Sequence, residues 1–116
     1  MDFYRTVDWI YLTNIYGVTK ENVNLFIGRS FINKGYMSTS SEFKSPWANN
    51  WLKDEVVMHI HGDTEYINVN NVFSPNEIDC ESQKELIIPR NTRLILTGVK
   101  RLNNREKTYF LEFSII

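Results

Sequence analysis

Strand-like runs, one of them alternating over residues 56–61, dominate the second half of this 116-residue chain, whereas helical spacing is concentrated in the first half. Residues 2–7 are short and aromatic and read as a strand. Trp9, Ile10, Leu12, Ile15 and Tyr16 share one helical face over residues 8–16, with Gly17 as the stop. Thr19, Glu21 and Asn22 open a second short helix that carries Val23, Leu25 and Phe26. Phe31 and Ile32, then residues 36–40, are extended segments flanking Gly35. Ser45-Pro46 begins another helical turn, with the proline in the tolerated first position and Trp47, Asn50 and Trp51 at helical spacing. Residues 56–61 alternate and are β-rich, Gly62-Asp63 turns the chain into a strand at 65–69, and residues 70–82 have the composition of a loop. Strands at 85–88, 93–100 and 108–115 close the chain, the last two joined through Asn103-Asn104. Helical patterns in front and strands behind predict an α+β fold with a largely antiparallel sheet, not a βαβ alternation. No repeat or low-complexity tract appears, so residues 1–116 read as a single domain.

Composition narrows the function classes. A hydrophobic share of 42% with 23% charged residues suits a folded globular chain. Thirteen Lys and Arg against fourteen Asp and Glu leave a net charge of −1, so no overall basic surplus drives polyanion binding. No apolar run approaches the ~20 residues that cross a bilayer, which argues against a membrane partner. No basic segment followed by an apolar one opens the chain, so no signal peptide is visible. The single cysteine, Cys80, makes neither an internal disulfide nor a cysteine zinc cluster. A reducing cytoplasm, of the producing or of a target cell, is the expected compartment. The five glycines fit neither GxGxxG nor a P-loop. His59 and His61 face one side of a strand and make half a metal site without a third ligand, so a solvated or hydrogen-bonded pair is expected and no metal.

Three fragments carry chemistry together: Phe3-Tyr4-Arg5, Lys34-Gly35-Tyr36-Met37-Ser38-Thr39-Ser40 and Gln83-Lys84-Glu85-Leu86-Ile87-Ile88-Pro89-Arg90. In this order they resemble the arginine, Ser-Thr-Ser and Gln-x-Glu motifs of mono-ADP-ribosyltransferases, most closely the toxin branch with the Rho-modifying bacterial exoenzymes. Gly62-Asp63-Thr64-Glu65-Tyr66-Ile67 resembles the stretch that precedes that family's acceptor loop. The longer strings are the specific part; Ser-Thr-Ser alone is common.

The resemblance implies a split antiparallel sheet core with short helices, and NAD as a substrate whose nicotinamide–ribose bond is cleaved through an oxocarbenium-like transition state. It assigns Glu85 to the ribose 2′-OH and the developing cation, Ser38 to holding Glu85, and Arg5 to the pyrophosphate. Thr39, Ser40, Trp47 and Trp51 join the NAD-binding set. Gln83 faces the same side of a strand as Glu85 and, with Phe73, serves acceptor recognition. A neutral amide there, in place of the glutamate of arginine-modifying relatives, implies a non-arginine acceptor: a protein side chain by preference, or a nucleic-acid base.

Several positions depart from the pattern. Four residues precede Arg5 where relatives carry a helical portion, so either that portion is reduced or absent in a minimal version, or part of its cover comes from a partner, a second copy or a missing region. The nicotinamide-phosphate loop offers Lys53 where an arginine is expected, and Cys80 stands where an aromatic precedes the glutamine, leaving Phe73 to replace it. Two other functions compete: NAD glycohydrolysis on the same site, and a non-catalytic partner-binding module on the same fold.

Overall fold

A computed structural model describes residues 1–41, 55–68, 85–101 and 109–116. Its elements are β1 (Asp2–Asp8), α1 (Trp9–Tyr16), a 3-10 turn (Val23–Phe26), β2 (Ser30–Asn33), β3 (Met37–Ser40), β4 (Glu55–His61), β5 (Ile67–Asn68), β6 (Glu85–Ile88), β7 (Thr92–Arg101) and β8 (Tyr109–Ile115). The segments expected at 45–51, 70–82 and 103–104 lie outside the described residues.

Strand turns into helix at Asp8. Its backbone is extended while its carboxylate accepts the Tyr11 backbone N–H at 2.7 Å, a side-chain cap that starts α1 one residue later than the apolar spacing suggests. Gly17 ends the helix in the left-handed conformation at φ 72°, its N–H returning to the Leu12 and Thr13 carbonyls. The second helix shrinks to one 3-10 turn because Thr19 and Asn22 bond to each other. The Thr19 N–H donates to Asn22 Oδ1 at 2.7 Å and the Asn22 N–H to Thr19 Oγ1 at 3.2 Å, so the turn closes before any α-helix begins. Of the strand expected over 65–69, Ile67–Asn68 pair with β6 among the described residues, and Tyr66 sets its ring edge-on against Phe3 at 5.9 Å.

Among the described residues the strands form one sheet in the order β2-β7-β8-β4-β1-β3-β6-β5. Six pairings are antiparallel; β4 and β8 run parallel, which makes the sheet mixed. The β1–β3 link is slender, with Tyr4 opposite Ser40 as its registered pair. It divides the sheet into a five-strand wing, β2 to β1, and a three-strand wing, β3 to β5. One sheet face packs a core of Phe3, Met58, Ile60, Leu86, Ile88, Leu96, Leu111 and Phe113, closed by Leu12 of α1. The alternation of buried and half-buried residues along β6 and β8 is the period-2 pattern of strands with one face in that core.

At the outer end of β4, Gly62 has φ 139° and receives the chain beside β8. An added Cβ would lie 2.9 Å from Ile115 Cβ, so a side chain there is excluded by conformation and by space.

Candidate active site

The three motif fragments fall on three adjacent strands across the seam between the wings: Arg5 on β1, Ser38 on β3 and Glu85 on β6. Phe3 and Val7, two residues to either side of Arg5, are buried, so the Arg5 stem is drawn inward and its guanidinium is half-buried. Arg5 Nη1 donates to the Ser38 carbonyl at 2.8 Å. Its Cζ lies 5.3 Å from the centre of the Tyr11 ring, and its Nε is buried without a hydrogen-bond partner. Arg5, Thr6, Val7, Asp8 and Tyr11 line an open cavity of about 310 Å³.

Ser38 works in both directions. Its main-chain oxygen accepts from Arg5, and its exposed hydroxyl donates to Glu85 Oε2. The register pairs Ser40 with Glu85 and Ser38 with Ile87, so Ser38 reaches the carboxylate on the diagonal. Glu85 is the first residue of β6 and half-buried. A serine is short enough to span that diagonal without leaving the strand.

Thr39 and Ser40 sit deeper than Ser38, at 2% and 1% exposed. The Thr39 hydroxyl donates to the Leu86 carbonyl at 2.6 Å, bracing β3 on β6 from inside the sheet. Thr39 and Ser40 are adjacent on the strand and point to opposite faces of the sheet, each buried by its neighbours. Gln83, Trp47, Trp51, Phe73, Lys53, Cys80 and Lys84 lie outside the described residues.

On the face opposite the core, the two histidines find partners that the sequence left unassigned. His59 Nε2 meets Asp2 Oδ1 at 2.8 Å, its Nδ1 meets Glu112 Oε2, and His61 Nδ1 meets the same Asp2 oxygen at 2.9 Å. Tyr4 stacks on the His59 ring at 4.8 Å. Hydrogen bonds from His59 and then His61 hold the Asp2 carboxyl below its ordinary 3.8. Burial, helped by the Asp2 and Glu112 charges, pushes the Tyr4 phenol up. Among the described residues no group of three or more His, Cys, Asp or Glu is arranged to hold a metal ion. The pair of histidines is a hydrogen-bonded one. Register would have disclosed it: Asp2 stands opposite His61, Tyr4 opposite His59, and His59 opposite Glu112.

Comparison with known proteins agrees with this fold. The family described as ADP-ribosyltransferase exoenzyme matches residues 1–113. By sequence, no curated protein matches. The fold is similar to C3stau2 from S. aureus, solved with NAD, at TM-score 0.69 and 19% identity over 99% of this chain and 61% of that one. It is similar to the Clostridium limosum C3 exoenzyme at TM-score 0.65 and 18% identity, covering 100% of this chain and 59% of the other. The Vis ADP-ribosyltransferase of Vibrio splendidus, in complex with agmatine, gives TM-score 0.64 and 14% identity over 100% of this chain and 49% of Vis. This chain therefore spans roughly half to three fifths of the length of the structures it matches. No helix among the described residues is long and apolar enough to cross a membrane.

Proposed function

The chain belongs to the ADP-ribosyltransferase exoenzyme family, and we propose that it transfers ADP-ribose from NAD to a macromolecular acceptor, a protein side chain other than arginine by preference. The observation that carries this reading is Ser38, which joins Arg5 to Glu85 across three adjacent strands. An enzyme for this reaction must stabilise a cation that exists only near the transition state. Glu85 is suited to stabilise it, being an anion whose direction is set by the Ser38 hydroxyl, so it need not reorganise as positive charge develops at the ribose. Arg5 supplies the planar donors for the pyrophosphate; its Nη1 already bonds to Ser38, and its side chain lines the open cavity. The nicotinamide–ribose C–N bond breaks with its electron pair leaving on nicotinamide, and the acceptor's lone pair closes on the same carbon as the acceptor loses a proton. Gln83, two residues before Glu85, orients that acceptor.

NAD as the substrate is supported by the residues themselves and by the relative solved with NAD. The protein acceptor draws support from the near-neutral net charge, which favours no polyanion. Agmatine is bound by Vis; the glutamine at position 83 here favours a neutral group over a guanidinium.

One experiment separates the alternatives. Labelled NAD is incubated with the protein and a whole-cell extract, and released nicotinamide and bound label are counted together. Label in protein is the expected result, lost by several orders of magnitude in a folded Glu85→Gln variant. Label in nucleic acid would move the acceptor class. Nicotinamide without label would make the chain a glycohydrolase, and no turnover at all would leave a binding module. Gln83→Ala should lower transfer far more than hydrolysis, because its contribution is positional.

A further inference from the structure

We infer that Tyr11 is a positioning residue for Arg5: its ring, carried on the first turn of α1, supports one face of the guanidinium and sets the direction in which that group's donors point. The inference rests on the reading of Arg5 as the phosphate-binding group and adds a residue to it.

Arginine has a long stem, and an unbraced one loses much rotamer freedom when it binds an anion. Arg5 is braced at two places. The Ser38 carbonyl takes Nη1 at 2.8 Å and fixes one corner of the guanidinium plane. The Tyr11 ring centre lies 5.3 Å from Cζ, inside the range in which an aromatic quadrupole attracts a cation. A planar group held at one corner and over one face cannot swing, and its remaining donors keep a fixed direction.

Tyr11 is itself fixed independently of Arg5. Its backbone N–H donates to Asp8 Oδ1 at 2.7 Å, which ties the first turn of α1 to the last residue of β1. Strand, cap and helix thus form one local unit in which Arg5, Asp8 and Tyr11 recur at intervals of three. Tyr11 also shares with Arg5 the wall of the cavity of about 310 Å³, so the ring stands where a ligand held by Arg5 would meet it. Part of the same ring packs against the core, which makes a purely structural role the competing explanation.

The two explanations separate in Tyr11→Leu, which keeps an apolar side chain against the core but has no π face. In steady-state NAD turnover by the whole chain, Tyr11→Leu should raise KM for NAD about tenfold and change kcat by less than about twofold, and Tyr11→Phe should restore KM. A core role would lower Tm and leave KM alone. A folded Tyr11→Leu with unchanged KM, beside an Arg5→Ala with raised KM, overturns the inference and leaves the reading of Arg5 standing. An Arg5→Ala with unchanged KM overturns both. The contact that the inference rests on is tested in the wild-type protein even if Tyr11→Leu does not fold. The Nε–Hε resonance of Arg5, assigned by its disappearance in Arg5→Lys, should be displaced upfield by the ring current of Tyr11. A resonance at the position shared by the exposed arginines overturns the inference regardless of whether NAD is turned over.

Discussion

Asp2 and Arg5 lie three residues apart on β1, yet the polar groups around them are organised on different terms. Around Asp2, each ring nitrogen of His59 meets a carboxylate, His61 shares the Asp2 oxygen, and Lys100 stands 3.8 Å from the second Glu112 oxygen. This network engages both ring nitrogens of His59 and spans four neighbouring strands, β1, β4, β8 and β7. Around Arg5, one donor is bonded, another is buried without a partner, and Glu85 gives one oxygen to Ser38. Partly unsatisfied polar groups at a seam are costly unless a ligand or reaction uses them. The difference teaches that charge clustering by itself does not mark a site. What marks one here is capacity left over, held rigidly.

Ser38→Ala should break the comparison most severely. It removes the hydroxyl that orients Glu85 but leaves the carbonyl that holds Arg5. Turnover of NAD should fall about 10- to 100-fold, the range for losing a hydrogen bond to a charged group, with KM for NAD little changed. A parallel rise in KM would mean that the strand itself had shifted and that the two ends of the Ser38 link are not separable.

His59→Ala should do the reverse. It deletes the Tyr4 stack and both carboxylate contacts, at a cost of about 1–3 kcal/mol in unfolding free energy, with turnover within about twofold of wild type. Thermal melts and NAD turnover on the same preparation check it. If turnover falls as far as in Ser38→Ala, the two constellations are one network through β1.

The smallest effect is on pH dependence. The Asp2 carboxyl titrates below 3.8 in the folded chain. Its contribution is therefore fully present above 3.8, where both states are ionised, and is lost as pH falls through the lower folded value. Asp2 is largely exposed, so solvent screening keeps that contribution to about 0.2–1 kcal/mol. The Tm gap between wild type and Asp2→Asn should be open near about pH 6 and close toward about pH 2. A gap that stays constant over that range would remove Asp2 from the linkage.

Residues that signal function by short-range order are legible in the chain alone. Arg5 in an aromatic strand, Ser38 within Lys34-Gly35-Tyr36-Met37-Ser38-Thr39-Ser40 and Glu85 two after Gln83 are marked by their resemblance to a family's ordered motifs, and strand-like patterning places each on a strand. The strand over 85–88 is legible to the residue. The Asp2–His59 and His59–Glu112 contacts are not, because they join positions 57 and 53 apart through a pairing choice that no local pattern encodes. The parallel β4–β8 pair is the least readable choice of all: alternation identifies both strands but is the same for either direction. Tyr11 is outside the apolar helical face that the spacing reveals, because its contact with Arg5 depends on how the Asp8 cap turns α1 back over β1.

The sequence by itself determined the strand and helix periods and the chemical types at the candidate site, because each rests on neighbours within a few residues, and it determined the order of the three motifs because that order is the order of the chain. The tertiary structure alone decided which wing each strand joined, which face of β3 stayed open and which inward-facing arginine kept a free donor. Those outcomes depend on register and burial across distant strands, where the free energy of packing is shared among residues that no short window contains.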